Sequence, residues 1–130
     1  MGEAQMKLID TSSWIEYLRG RNNPTARRVQ ELVRLDEAGW CELVAVELWN
    51  GVRPGPEVKA LEELEEAATL FSITTEVWQK ARRLASLCRQ SGLSMPVNDI
   101  IISACSLHYG LEIEARDAHF AKILPHGARL

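Results

Sequence analysis

Met6-Lys7-Leu8-Ile9-Asp10-Thr11-Ser12-Ser13-Trp14 is the stretch on which the reading of this chain turns. Met6 to Ile9 has the length and apolar character of a short buried strand, and Asp10 falls where that strand should end. Three small hydroxyl residues follow, then an apolar-rich segment that reads as a helix. An acid at the carboxyl end of a strand, opening into a strand-to-helix turn, is where open α/β sheets place their ligand sites.

Working outward, Ser12 or Ser13 can cap a helix that runs to about Arg19 and is ended by Gly20. Ile15 and Leu18 are expected in the core. Trp14 and Tyr17, three apart, share a second stripe that is either a wide core face or a docking surface. Asn22-Asn23-Pro24 then opens a second helix, Thr25 to Ala38, stopped by Gly39. Cys41 to Ala45 reads as a second strand, and Val46 to Val52 as a helix that sets Glu47 just past that strand's end. Pro54-Gly55-Pro56 breaks the chain before a helix from Glu57 to Ala68, whose acidic run is a solvated face.

Thr69 to Ile73 is a third strand, and Thr74 or Thr75 caps a long helix to Gln90. Asn98-Asp99 opens a helix, Ile100 to Tyr109, whose apolar residues point nearly all round, so it should be deeply packed. Leu111 to Ala115 is a fourth strand, Asp117 to Ile123 a short helix, and residues 128–130 a last short strand. Strands alternating with helices predict an α/β fold, a mostly parallel central sheet covered on both faces.

The 130 residues suit one domain over 1–130, with the polar residues 1–5 expected to be disordered. With 46% hydrophobic and 25% charged residues the composition is globular, and no apolar run nears the ~18 residues of a membrane span. Cys41, Cys88 and Cys105 are odd in number and scattered among apolar neighbours, which suits buried thiols in a reducing cytoplasm. A net charge of −3 excludes a protein that holds nucleic acid by overall charge, so any phosphate-binding face must be local.

Four acids recur at one structural place. Asp10, Glu47 and Asp117 each follow a strand, and Asp99 stands in the first turn of a buried helix. In a parallel sheet all such ends share one edge, so these residues can converge although 37, 52 and 18 positions separate them. Two bare carboxylates ~4 Å apart repel by about 1–4 kcal/mol at plausible dielectrics. A divalent cation preferring hard oxygen ligands, Mg²⁺ or Mn²⁺, removes that cost. Taken singly, each acid has a plainer reading as a turn former, cap or surface residue. Taken together they fit a metal site better.

Four segments now resemble a known family: Leu8-Ile9-Asp10-Thr11-Ser12, Val46-Glu47-Leu48-Trp49-Asn50-Gly51, Asp99-Ile100-Ile101-Ile102-Ser103-Ala104 and Arg116-Asp117-Ala118-His119-Phe120. They look like the signature segments of PIN-domain ribonucleases, and most of all those of the VapC-type toxins of toxin–antitoxin modules. The resemblance implies one PIN-like domain, a three-layer α/β/α sandwich, and Mg²⁺- or Mn²⁺-dependent cleavage of RNA. It makes Asp10, Glu47 and Asp99 the core metal ligands and Asp117 the residue that completes the site, with Thr11 or Ser12 supporting by hydrogen bonds. It further implies a homodimer and a cognate antitoxin lying in an apolar groove, for which Trp14, Tyr17 and Leu18 are the candidates.

Three departures from the family pattern stand out. Ala115 occupies a place where relatives often carry a hydroxyl. His119 stands where some carry another acid. Glu112 and Glu114 alternate through a strand usually apolar on both faces, so one side of the sheet is expected to be less covered. His119 with Asp117 makes a poor zinc pair, because positions i and i+2 diverge on a helix and no further histidine is nearby.

The mechanism expected is metal-assisted phosphodiester hydrolysis, with Arg19, Arg21 and Arg116 near the active edge gripping the RNA backbone. An aspartyl phosphatase wants a second acid where Ser12 stands, and a dinucleotide fold wants a glycine-rich turn where Thr11-Ser12-Ser13 stands. The rival from another class is a PIN-like protein-binding module with little catalysis.

Overall fold

The computed structural model describes residues 5–130. Its core is a four-stranded sheet of β1 (Lys7–Ile9), β2 (Ala38–Trp40), β3 (Thr69–Leu70) and β4 (Glu112–Glu114). All pairings are parallel and the order is β3-β2-β1-β4. The chain builds outward from β1 through β2 to β3, then crosses back to lay β4 on the other side of β1. That reversal opens a crevice between the carboxyl ends of β1 and β4. The two strands are tied at its floor, where the Asp10 N–H donates to the Glu114 carbonyl at 3.0 Å.

Helices α1 (Thr11–Leu18), α2 (Pro24–Arg34), α3 (Glu42–Gly51) and α4 (Pro56–Ala67) follow the first two strands, and α1 packs against the other three. Helices α5 (Thr75–Gln90), α6 (Val97–Tyr109) and α7 (His119–Ile123) form a second group centred on α6, which also meets α3. Every residue of α6 from Ile100 to Ser106 is buried, as its apolar circumference predicts. The left-handed Gly110, at φ 68°, ends it.

The second helix and strand lie earlier than expected. α2 ends at Arg34, not Ala38, because Asp36 takes the left-handed conformation (φ 58°) and the Glu37 N–H folds back onto the Leu32 carbonyl. An aspartate does here what the sequence reading assigned to Gly39. Gly39 instead sits inside β2, where a Cβ would lie 2.5 Å from Phe71 Cε2, so its lack of a side chain admits the Phe71 ring. Cys41 to Ala45 is consequently not a strand: Cys41 is the N-cap of α3, and Glu47 lies in that helix's second turn.

β3 is shorter than expected. Phe71 N–H still donates to the Trp40 carbonyl, but the Ser72 hydroxyl and the Ile73 N–H turn to the Glu42 carboxylate. Residues 128–130 form no strand; Leu124–Arg129 is a 3-10 helix with Pro125 in its first turn. The disorder expected of residues 1–5 lies outside the described residues except at Gln5, whose N–H donates to Glu37 at 2.8 Å. Glu112 and Glu114 do not leave a sheet face bare. Glu112 is exposed beside Lys7 at the start of an edge strand, while Glu114 is buried and accepts from Arg28 of α2 at 3.0 Å.

Trp14 belongs to the core and not to a docking groove. It is fully buried, with its ring edge-on to Trp40 (6.4 Å between centroids) and Tyr17 (6.0 Å), and belongs to no open surface. Replacing it with alanine removes the largest fully buried side chain of the core. Trp14→Ala should cost about 3–5 kcal/mol of unfolding free energy, read as a lower urea midpoint with an unchanged slope.

Candidate metal centre

Asp10 closes β1 and begins α1 in one residue. Its Oδ1 accepts the Ser13 N–H at 3.0 Å, the usual N-cap contact, and its Oδ2 accepts the Ser12 hydroxyl at 2.9 Å. Only 4% of its surface remains exposed. Burial raises the proton affinity of this carboxyl and the charge of Asp117 adds to the effect, while hydrogen bonds from Ser13 and Ser12 oppose it.

Glu47 reaches the same crevice from α3. Thr11 Oγ1 donates to its Oε1 at 2.8 Å, and Asn98 Nδ2 donates to its Oε2 at 2.8 Å. Thr11 thus supports the second acid and Ser12 the first. Asn98, read from sequence only as part of a helix start, is a second clamp on Glu47. No sequence signal separates it from an ordinary first-turn residue, because its partner lies 51 positions away.

Asp99 stands in the first turn of α6. Burial pushes its carboxyl up and the charges of Asp117 and Glu47 add to this, against the stabilising contact of His119. Asp117 lies ahead of α7, not on it, and its Oδ1 accepts the His119 backbone N–H at 3.0 Å. The objection to pairing Asp117 with His119 presumed a shared helix and does not hold. His119 Nδ1 is 2.7 Å from Asp99 Oδ2 and 3.5 Å from Asp117 Oδ1. The three residues bring one potential ligand atom each within 4.8 Å of one another. Ala115 packs against the core and adds no hydroxyl.

The four acids are therefore electrostatic neighbours: Asp10 with Asp117, Asp117 with Asp99, Asp99 with Glu47. Their partners set them apart from the buried acids Glu16 and Glu114. Glu16 is paired with Arg21 (2.8 Å) and Arg116 (3.3 Å), and Glu114 with Arg28. Among the described residues no lysine or arginine pairs with Asp10, Glu47, Asp99 or Asp117. A crowd of oxygen donors lacking its own cation suits a hard divalent ion.

A family model described as the PIN domain matches residues 7–123. The chain belongs to the PIN domain family. Over 119 residues it is 29% identical to VapC ribonuclease Mb1587 of Mycobacterium bovis, covering 88% of this chain and 89% of that one. Over 102 residues it is 31% identical to ribonuclease VapC19 of Mycobacterium tuberculosis, covering 78% and 81%. The crystal structure of VapBC2 from Rickettsia felis, bound to a DNA fragment from its promoter, has the same fold. There the TM-score is 0.78 at 14% identity, covering 92% of this chain and 93% of that one.

The arginines named from sequence are all held by acids. Arg21 and Arg116 converge on buried Glu16, and Arg19 Nε lies 3.9 Å from Glu57 Oε1. Trp14 drops out of the groove, as described above. Tyr17 and Leu18 are half-buried and line a cleft of about 330 Å³ with Val33, Ala60, Glu63, Leu64 and Ala67, between α1, α2 and α4. No helix among the described residues is long and apolar enough to cross a membrane.

The raised carboxyls have a measurable consequence in metal-free protein. As pH rises from about 4, the unfolded Asp99 loses its proton first while the folded one keeps it, so stability falls through that window. In chelator at pH 7, Asp99→Asn should therefore melt at a higher temperature than wild type. The difference should vanish below about pH 4, where both states of the wild-type residue are protonated. A gap that persists unchanged in acid would contradict the assignment.

Proposed function

We propose that this chain is a divalent-metal-dependent endoribonuclease of the toxin type, restrained by a cognate antitoxin. The observation that carries the reading is that Asp10, Glu47, Asp99 and Asp117 are neighbours at the β1/β4 crevice with no lysine or arginine partner among the described residues. Membership of the PIN domain family and similarity to proteins named VapC ribonucleases support it. In this reading the four acids hold Mg²⁺ or Mn²⁺. A cation bound there supplies an acidic water and positive charge against a phosphodiester.

The chain's own residues do the positioning. Ser12 and the Ser13 N–H fix the Asp10 carboxylate plane, and Thr11 and Asn98 fix that of Glu47. Orientation of ligand carboxylates by such outer partners sets metal affinity. Glu16 holds Arg21 and Arg116 at the surface, half exposed, with Arg116 adjacent in sequence to Asp117. A guanidinium has five donors, so each retains several for an RNA phosphate.

Cleavage of RNA in Mg²⁺ should fall more than about 100-fold in Asp10→Asn and in Asp99→Asn, beyond the loss seen for outer partners of a metal. Mn²⁺ should raise the wild-type melting temperature and have little effect on Asp99→Asn. Undiminished cleavage by both variants would remove the metal-enzyme reading and leave the protein-binding module.

Two surfaces are assigned to protein partners. The antitoxin segment takes the cleft of Tyr17, Leu18 and Leu64. A second copy takes the apolar face of α3 and the β3 edge, where Val46 (64% exposed), Trp49 and Leu70 face outward beside Trp78 of α5. Leu18→Glu should weaken antitoxin binding at least ~10-fold, about 1.4 kcal/mol, and leave the sedimentation coefficient unchanged. Val46→Glu should give the converse, a monomer that still binds antitoxin. Swapped or identical phenotypes would refute the division.

A further inference from the structure

We propose that His119 is itself a ligand of the catalytic cation and that its imidazole makes the site favour Mn²⁺ over Mg²⁺. The inference rests on the metal-enzyme reading above and concerns which donors the site uses. Its basis is geometric. The Nδ1 of His119 stands 2.7 Å from Asp99 Oδ2 and 3.5 Å from Asp117 Oδ1. The 2.7 Å contact is a hydrogen bond here, and adjacent ligand atoms around an ion with bonds of ~2.1 Å lie about 3 Å apart, so this nitrogen can trade the shared proton for a cation with little movement.

The backbone holds it there. Asp117 Oδ1 accepts the His119 N–H at 3.0 Å, closing a tight turn that carries side chains 117 and 119 to one side. The neighbouring Phe120 is buried in the core and anchors the turn. An ammonium or guanidinium in this position would neutralise the acids without binding metal. An imidazole has a lone pair once deprotonated and can exchange its proton for a cation. The acids alone present only oxygen, which suits Mg²⁺ as well as Mn²⁺. One nitrogen donor shifts the balance, because Mg²⁺ takes oxygen and dehydrates reluctantly whereas first-row ions accept imidazole.

The ring is 41% exposed on its side-chain surface, so substitution leaves the core intact. Metal-free wild type, His119→Ala, His119→Asp and, as a control, His108→Ala are titrated with Mn²⁺ and with Mg²⁺ by calorimetry. Each folded sample is confirmed by its melting curve. Pulsed electron paramagnetic resonance of bound Mn²⁺ then reads nitrogen coupling directly.

We expect ¹⁴N coupling in wild type and in His108→Ala and none in His119→Ala. Mn²⁺ affinity should fall about 10–100-fold in His119→Ala while Mg²⁺ affinity changes by less than about 3-fold. His119→Asp, which restores an all-oxygen set, should bring the two affinities together. Equal losses for both ions without nitrogen coupling in wild type would make His119 a positioning residue for Asp99 and overturn the ligand assignment, while the nuclease reading stands. Failure of wild type to bind either ion would overturn both.

Discussion

Negative charge gathered at one crevice is the constraint on which the rest of this structure depends. Asp10 sits almost wholly out of water at the carboxyl end of the central strand, and burial favours its protonated form. A fold stabilised for its own sake would place a hydrophobic residue or an arginine partner there. Here the chain instead surrounds Asp10 and Glu47 with neutral donors, Ser12, the Ser13 N–H, Thr11 and Asn98, and sets His119 against Asp99 and Asp117. The sheet order β3-β2-β1-β4 creates the crevice, and the buried helix α6 carries Asp99 to it. Each element near the site is thus placed by ordinary packing while holding a group that packing alone does not favour.

What was legible in the sequence follows physical scale. The α/β class, the parallel sheet and the all-round burial of α6 rest on patterns many residues long, and these are seen in the structure. The α2–β2 boundary was misplaced because Asp36 takes a left-handed turn that sequence habit gives to glycine, leaving Gly39 free to meet Phe71. Glu47 was named as a site residue on a mistaken strand assignment. The second turn of α3 carries it to the same crevice, where Thr11 and Asn98 hold it.

The places of Trp14 and His119 could not be read from spacing for a shared reason: both depend on tertiary neighbours. Trp14 and Tyr17 lie on one helical stripe, and the spacing does not say whether Trp40 will cover it. Likewise the i, i+2 objection to His119 applied to a helix. Asp117 stands outside α7, and only the turn's hydrogen bond reveals that the two side chains gather on Asp99.

The buried and half-buried acids around α1 divide by the partners they keep. Glu16 accepts from Arg21 on one oxygen and from Asn23 on the other, with Arg116 beside it, so its charge is matched and its lone pairs are largely used. Glu114 is matched by Arg28. These two hold α1, α2 and β4 together. Asp10 and Glu47 accept one neutral donor on each oxygen. A carboxylate has about four lone-pair sites, so roughly half remain open, and no lysine or arginine among the described residues pairs with them. Such hydrogen bonds fix the direction of a carboxylate while leaving it able to accept more. Were the crevice a purely structural feature, arginine would be the economical neighbour, as it is for Glu16 a few residues away. That α1 carries both kinds of acid, one sealed and one left open, is the strongest physical reason to place a cation, and the chemistry it brings, at Asp10.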